Sequence, residues 1–495
     1  MKHPSFRMGL CALVIASSAW ANNVSRSFLS IRPYTEPMNL NSYQLLSEAK
    51  SNGWVLEMNS VQFSVFGGAS TNSKDLAQYF MFNNKSTLLV KNTQDSGNGG
   101  VTIPGQQDVL AAHFNFDPLG NATYVGTISF APKHTFAGGS MTFKAYLPHH
   151  LYLELGIPVV WVKNDMHLTE NIITSEVVDG TQVWLDGQSP VSTMIDGFKR
   201  PGMQYGKIDG SRSSAGFGDV LVKFGYDPVL LNRKDLHVTP YAGFILPSSN
   251  RPKGVYVFEP IRGNGAHWAV MGGGQGELLV KQMNHGQLWL QSKIEGQYLF
   301  RNTQKRSFDL LLNGGWSRYL SMFPDVNAVT NDTTNHTTRV SGINLMTRDA
   351  IVKPGFQLTY DLALSYVGHE YYGTFGWIFH ALQGEDVSLL KPWTLGPQLA
   401  SLSTPDDTNP YSFIGNALTA QNDETGFPFI QASDIDYDSA ARPAVMTNVV
   451  EFKLGRYCQK TENPVLCEVG SSFETSKFNA AINRWSVWGM VNVAF

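Results

Sequence analysis

Charge is scarce in this 495-residue chain: Asp, Glu, Lys and Arg together make up 16% of it, against roughly 25% in ordinary soluble domains. The net charge of -3 excludes the basic footprint of a nucleic-acid binder and offers no attraction to an acidic lipid surface. Long apolar runs are missing too. Nowhere after Ala21 do about eighteen apolar residues follow one another, which excludes a transmembrane helix. Cysteine is limited to 3 residues, and no linker, repeat or change of composition divides the chain.

Recognisable catalytic motifs are also lacking. There is no G-x-S-x-G elbow, no H-E-x-x-H and no G-x-x-x-x-G-K-[ST]. The stretch GGGQGE, residues 272 to 277, places Glu277 where a dinucleotide fingerprint needs its last glycine, so these glycines read as close packing or a bend in a strand. His149 and His150 have no third ligand at metal spacing. Nothing in the chain calls for a cofactor or a metal, and the expectation is a protein that is not an enzyme.

What is present begins with the N-terminus. Lys2 and Arg7 precede the short apolar run MGLCALVIASS, and Ala19-Trp20-Ala21 forms a small-x-small site. This is the layout of a secretory signal peptide, residues 1–21, with cleavage between Ala21 and Asn22. Leu10 before Cys11 argues against a lipoprotein. The remaining cysteines, Cys458 and Cys467 in RYCQKTENPVLC, are expected to form a disulfide across a tight turn in an oxidising compartment.

The dominant signal is alternation with a period of two. In LYLELGIPVVW, Leu151, Leu153, Leu155, Ile157, Val159 and Trp161 share one face. FQLTYDLALSY, LWLQSKIEGQYLF and the C-terminal WSVWGMVNVAF repeat the pattern. A helix would space its apolar residues three and four apart, so these are strands. They are also long. Globular strands run to about five or six residues, whereas strands that cross an outer membrane need about nine to eleven. Segments of that length fall near 54–67, 77–91, 107–117, 123–134, 138–147, 150–165, 216–227, 237–248, 266–281, 288–301, 354–367, 371–383, 445–458, 465–475 and 485–495, with a further one near 26–34. The fold expected is all-β: a transmembrane antiparallel β-barrel of about 14–16 strands, formed by residues 22–495 as one domain. The connections agree, because LLNRKD, MNHGQ, VGHE and QKTENP are short while 166–215, 302–353 and 384–444 are long. Short turns at one rim and long loops at the other are the outer-membrane pattern.

On these features the mature chain resembles the porin-like outer-membrane barrels of Gram-negative bacteria. GFGDVLVKFGY, TPYAGFILPSSN and the Gly-rich GGGQG also look like strand pairs of the outer-membrane transporters associated with phenol-degradation operons. That second resemblance implies a transport-type barrel and carries over no substrate and no functional residue. The first implies that the terminal Phe495, with Trp485, Val491 and Val493 on the same face, is the signal read by the barrel-assembly machinery. Partners are then outer-membrane lipid, that machinery and small solutes, with a homo-oligomer left open and nucleic acid excluded.

Alternation assigns Glu154, Asp219, Lys223, Glu277, Lys281, Lys293, Glu295, Asp361, His380, Glu451 and Lys453 to the lumen, because a basic residue at the lipid midplane costs about 2–4 kcal/mol. Lining of mixed sign points to a porin-like channel for passive diffusion, selecting little between small anions and cations. A non-conducting surface barrel, adhesin or structural, and a hydrolase built on the outer loops are the alternatives. The long loops 302–353 and 384–444 are candidates to fold inward. Deleting Phe495, or making it charged, is expected to block assembly while export continues; a normal amount of heat-modifiable folded barrel on a gel would refute that role.

Overall fold

The computed structural model describes residues 25–29, 31–32, 34, 59–81, 85–91, 109–110, 114–115, 124–175, 185–227, 236–311, 313–325, 338–368, 370–393, 396–399, 429–458, 464–476 and 480–495. Twelve long strands form a closed meander. In chain order they are β1 (Ser60–Ser70), β2 (Lys133–Leu147), β3 (Leu151–Asp165), β4 in two halves (Arg212–Phe217 and Val220–Tyr226), β5 (Leu236–Leu246), β6 (Ala269–Met283), β7 (Gly286–Leu299), β8 (Gly355–Gly368), β9 (Tyr371–Leu382), β10 (Val445–Cys458), β11 (Val465–Thr475) and β12 (Arg484–Ala494). Each is antiparallel to its sequence neighbours, and β1 closes on β12 from Ser60 opposite Ala494 to Ser70 opposite Arg484. Closure leaves no unpaired edge, the condition for a sheet in lipid.

Alternation along each strand sorts the side chains. Leu454 is 66% exposed on the outer face while its neighbour Lys453 is 2% exposed within. Phe63, Val65, Phe375, Phe452, Val469 and Val487 continue the apolar outer belt. A closed barrel with such a belt is an outer-membrane β-barrel, and that is the class of protein this chain forms.

All twelve barrel strands were legible as periodic segments, but four further segments are not barrel wall. Residues 77–91 begin inside helix α1 (Ser73–Phe80), whose Leu76, Ala77 and Phe80 are fully buried at helical spacing, and end in the strand Thr87–Lys91. The segment 107–117 contributes only the two-residue strand Val109–Leu110 among its described residues. Tyr124–Phe130, within 123–134, is a strand, yet it pairs with Thr87–Lys91 and Leu168–Ser175 in a separate four-stranded sheet. The described residues of 26–34 form no strand. Apolar periodicity reports that a strand has a buried face, and a sheet above the barrel satisfies that as well as the wall does. The barrel therefore has twelve strands rather than fourteen to sixteen.

The long connections supply those other elements. Segments between β1 and β2, β3 and β4, β5 and β6, β7 and β8, and β9 and β10 share one hydrophobic core, centred on Leu76, Phe80, Phe114, Phe198, Trp316 and Ile343. Trp316 donates its indole N–H to the Phe80 carbonyl at 3.0 Å. They form a cap at the loop end of the barrel.

Glycine has a specific use in the wall. Inward-facing Phe66, Tyr152, Tyr241, Tyr372 and Trp488 each stand directly opposite a glycine on the next strand: Gly138, Gly225, Gly273, Gly455 and Gly470. The ring lies over the space that a side chain would fill, and a Cβ on Gly470 would sit 2.3 Å from the Trp488 ring. Such cross-strand aromatic–glycine pairs help to set register. Gly470→Val is expected to cost about 1–3 kcal/mol through overpacking and to lower the heat-modifiable folded fraction. Gly489→Val, whose Cβ faces outward with Val65 at 3.9 Å, is expected to leave that fraction unchanged in the same assay.

Candidate functional site

The interior of the barrel is layered. At the short-turn end Trp289, Val367, Tyr372, Tyr457, Leu466 and Met490 form an apolar cluster. At the loop end Phe66, Phe136, Val160, Val162 and Trp488 form another, joined by Tyr34 from the N-terminal segment. Between them the wall carries charge, and these charges are paired. Lys223 Nζ lies 3.3 Å from Glu154, Lys293 lies 3.2 Å from Glu295 and 4.0 Å from Asp361, and Lys453 lies 3.0 Å from Glu451. Glu295 also accepts hydrogen bonds from the Tyr241 hydroxyl at 2.7 Å and the Gln297 amide at 2.8 Å. Glu277 accepts from Gln291 at 3.2 Å, and His380 shares a 2.9 Å hydrogen bond with Thr359.

Ten of the eleven residues assigned to the lumen by alternation do face inward or onto the lumen rim. Asp219 is the rim case. Gly156 stands opposite Leu221 but Val159 opposite Phe217, so β4 carries one extra residue and bulges at Gly218 and Asp219. The bulge aims the Asp219 carboxylate at the connection between β5 and β6, where it accepts the backbone N–H of Ser249 at 3.2 Å and of Asn264 at 2.6 Å. Lys281 is the exception. A bulge between Leu279 and Lys281 pairs Lys281 with outward-facing Leu288, turning it to the outer, exposed side of the short-turn rim. A single inserted residue reverses every later side chain on a strand.

Trp485, Val491, Val493 and Phe495 share the outward face of the last strand, as expected. The expected Cys458–Cys467 disulfide is corrected by register: Cys467 stands opposite Arg456 and Cys458 opposite Val465. Diagonal positions of this kind lie about 7–8 Å apart, beyond the range of a disulfide, and Cys467 is a free, exposed thiol. The Ala21–Asn22 cleavage site lies outside the described residues.

Sequence reasoning missed what fills the loop-end half of the lumen. Among the described residues of 25–34, Arg32 and Tyr34 lie inside the barrel instead of in its wall, and residues 25–29 continue into the cap. The Tyr34 ring lies 4.5 Å from that of Phe136 and 6.5 Å from that of Phe66. Arg32 Nε lies 3.2 Å from Glu474 of β11, whose other oxygen is 2.7 Å from Arg484 Nε of β12. Further out, Phe28 stacks on the Arg306 guanidinium and the Ser25 hydroxyl donates to Asp309 at 2.8 Å. Glu474 and Arg484 were within reach of the alternation; Arg32 was not, because a plug carries no period of its own.

A cavity of about 90 Å³ remains beside this segment, bounded by Ile31, Arg32 and Tyr34 on one side and by Val160, Leu221 and Glu295 of the wall on the other. That is room for a few waters. In the cap, burial pushes His267 down to about 4 from 6.5; its ring lies between the Phe300 carbonyl and Gln304. Its neutral form adds stability above pH 6.5, and that contribution is lost as pH falls through about 4. Burial, reinforced by Asp309 and Asp438, pushes the Asp436 carboxyl up to about 6.

No family profile matches the chain, and no curated protein matches it in sequence. Among solved structures it is similar to an outer membrane channel from Pseudomonas putida F1, at 8% identity over 89% of this chain and 97% of that one, with a TM-score of 0.35. The transport unit of the autotransporter AIDA-I from Escherichia coli is similar at 8% identity over 92% and 97%, TM-score 0.30. A mutant of the TodX monoaromatic hydrocarbon channel is similar at 8% identity over 88% and 90%, TM-score 0.31. Scores this low leave the assignment as an outer-membrane barrel to rest on this chain's own geometry.

The buried charge layer yields a prediction. Lys293→Met leaves Glu295 and Asp361 without their shared cation and is expected to cost about 3–5 kcal/mol in a denaturant titration of the refolded barrel. Lys281→Met, on the exposed outer rim, is expected to change stability by less than about 0.5 kcal/mol.

Proposed function

We propose that this barrel is an outer-membrane channel through which small solutes diffuse passively, and that the N-terminal segment, through its described residues 25–29, 31–32 and 34, holds it closed. The observation that carries the reading is the way this segment is held. Its described residues join no sheet: Arg32 and Tyr34 meet the wall at Glu474 and Phe136, and residues 25–28 are fastened to the cap by side-chain contacts such as Ser25 on Asp309 and by isolated backbone hydrogen bonds, among them Arg26 N–H to the Tyr79 carbonyl and Ser27 N–H to the Ser439 carbonyl. A wall strand shares a ladder of hydrogen bonds with both neighbours and cannot leave without opening the barrel. A segment held by side chains and a few isolated backbone bonds can leave and return without opening the ring.

The wall beneath it suits a solute path. Gln62, Ser64, Gln297, Gln357 and Thr359 face the lumen, and opposite charges on the same strands neutralise one another, which favours neutral or amphipathic solutes over a single sign of ion. Motion of the cap is part of the same gate, because Ser25 and Phe28 are fastened to it. The second reading, a barrel that never conducts, draws on the tight pairing of the interior charges.

Planar-bilayer recording separates the two. The intact chain is expected to show rare, small openings, and a variant lacking residues 25–34 a larger and steadier conductance, with the double substitution Arg32→Ala and Tyr34→Ala in between. A correctly assembled deletion variant that stays silent would sink the channel reading and favour the structural barrel.

A further inference from the structure

Two side chains of the N-terminal segment reach the wall, and each lies in a place that the wall builds from its own residues. The Tyr34 ring stacks at 12° to Phe66 of β1 and at 13° to His134 of β2, with Phe136 4.5 Å away. Its hydroxyl lies 3.3 Å from His134 Nε2. That nitrogen is set as an acceptor by partners outside the segment. The Asn164 amide donates to the Phe258 and Glu259 carbonyls at 3.4 and 2.9 Å, which turns its oxygen to His134 Nδ1 at 2.7 Å. With the proton on Nδ1, Nε2 is left to accept from the phenol.

The second place adjoins the first. Glu474 of β11 offers one oxygen to Arg32 at 3.2 Å and the other to Arg484 of β12 at 2.7 Å. The Arg484 guanidinium itself lies over the Tyr34 ring at 5.2 Å and the Phe136 ring at 5.3 Å. Phe66, His134, Phe136, Asn164, Glu474 and Arg484 are all more than nine-tenths buried. Once Arg32 and Tyr34 withdraw, the wall is left with an apolar slot and a carboxylate oxygen side by side. An occupant that fills the slot and leaves that oxygen bare is penalised, because a buried charge without its partner costs more than a neutral group does. The cavity of about 90 Å³ that touches both side chains gives an occupant more room than they take.

We propose that the places of Arg32 and Tyr34 together form a binding site for an arylalkyl ammonium solute, its ring in the slot of Phe66, His134 and Phe136 and its ammonium on Glu474, and that the segment is the tethered competitor of that solute. The inference rests on the reading of the segment as a removable plug. An ammonium in place of the Arg32 guanidinium keeps the present balance of charge around Glu474, whereas a neutral arene makes it more negative and an aryl carboxylate more negative still. A simple alkyl ammonium keeps the balance but leaves the slot without a ring.

Binding is read by titration calorimetry on the folded barrel lacking residues 25–34, in detergent, with tyramine as the probe and para-cresol, para-hydroxyphenylacetate and butylammonium as comparisons. Tyramine is expected to bind saturably and on the order of tenfold or more tightly than any of the three. The intact chain, whose site is filled, is expected to bind tyramine on the order of tenfold or more weakly than the deletion variant does. Glu474→Gln in the deletion variant is expected to remove the difference between tyramine and para-cresol. The double substitution Arg32→Ala and Tyr34→Ala carries the same comparisons if the deletion variant does not fold. Equal affinity for tyramine and para-cresol overturns the proposal, and so does equal affinity for tyramine in the intact chain and the open variants. A deletion variant that conducts but takes up no tyramine overturns it and leaves the channel reading standing; one that binds tyramine and stays silent does the opposite.

Discussion

Everything in this molecule depends on the pairing of β1 with β12. Eleven residue pairs, from Ser60 opposite Ala494 to Ser70 opposite Arg484, join the first wall strand to the last across more than four hundred residues of chain. In hydrocarbon an unpaired backbone group costs several kcal/mol, so a row of them cannot be left open. Once the ring is shut, each strand has one face in lipid and one in the lumen, and alternation follows as a necessity.

Closure creates the second problem, which is the interior. Twelve strands enclose more space than their own inward side chains fill, and the chain fills it by three means. Aromatic rings fold over opposite glycines, as Tyr152 over Gly225 and Trp488 over Gly470. Opposite charges pair across the wall, as Lys293 does with Glu295 and Asp361. The N-terminal segment enters the loop-end half, where Arg32 and Tyr34 meet the wall. The first two means belong to the wall, while the described residues of the third join no sheet, which is why the proposed function centres on it.

The cap follows from the asymmetry between the rims. Turns at the short end are too brief to fold by themselves. The connections at the other end are long enough to bury Phe80, Phe198 and Trp316 in a common core. Leu29 belongs to that core, and Ser25 and Phe28 meet Asp309 and Arg306 of the connection between β7 and β8, so the plug is anchored in the cap and braced by the wall.

How much of this was legible depends on whether a feature is local. The sequence by itself determined that the chain crosses a membrane as strands, a set of sixteen periodic segments that contains all twelve wall strands, and which of Lys293, Glu295, Glu451 and Phe495 face inward or outward, because a period of two is a property of neighbouring residues. It could not separate a wall strand from a strand in the cap, as Tyr124–Phe130 shows, since both have one buried face. Register was equally out of reach: one extra residue turns Lys281 outward, and an offset of two keeps Cys467 from Cys458. The place of Arg32 and Tyr34 in the lumen and the pairing of Arg32 with Glu474 were decided only by the tertiary structure. They join residues hundreds of positions apart, and only closure of the ring brings such residues together.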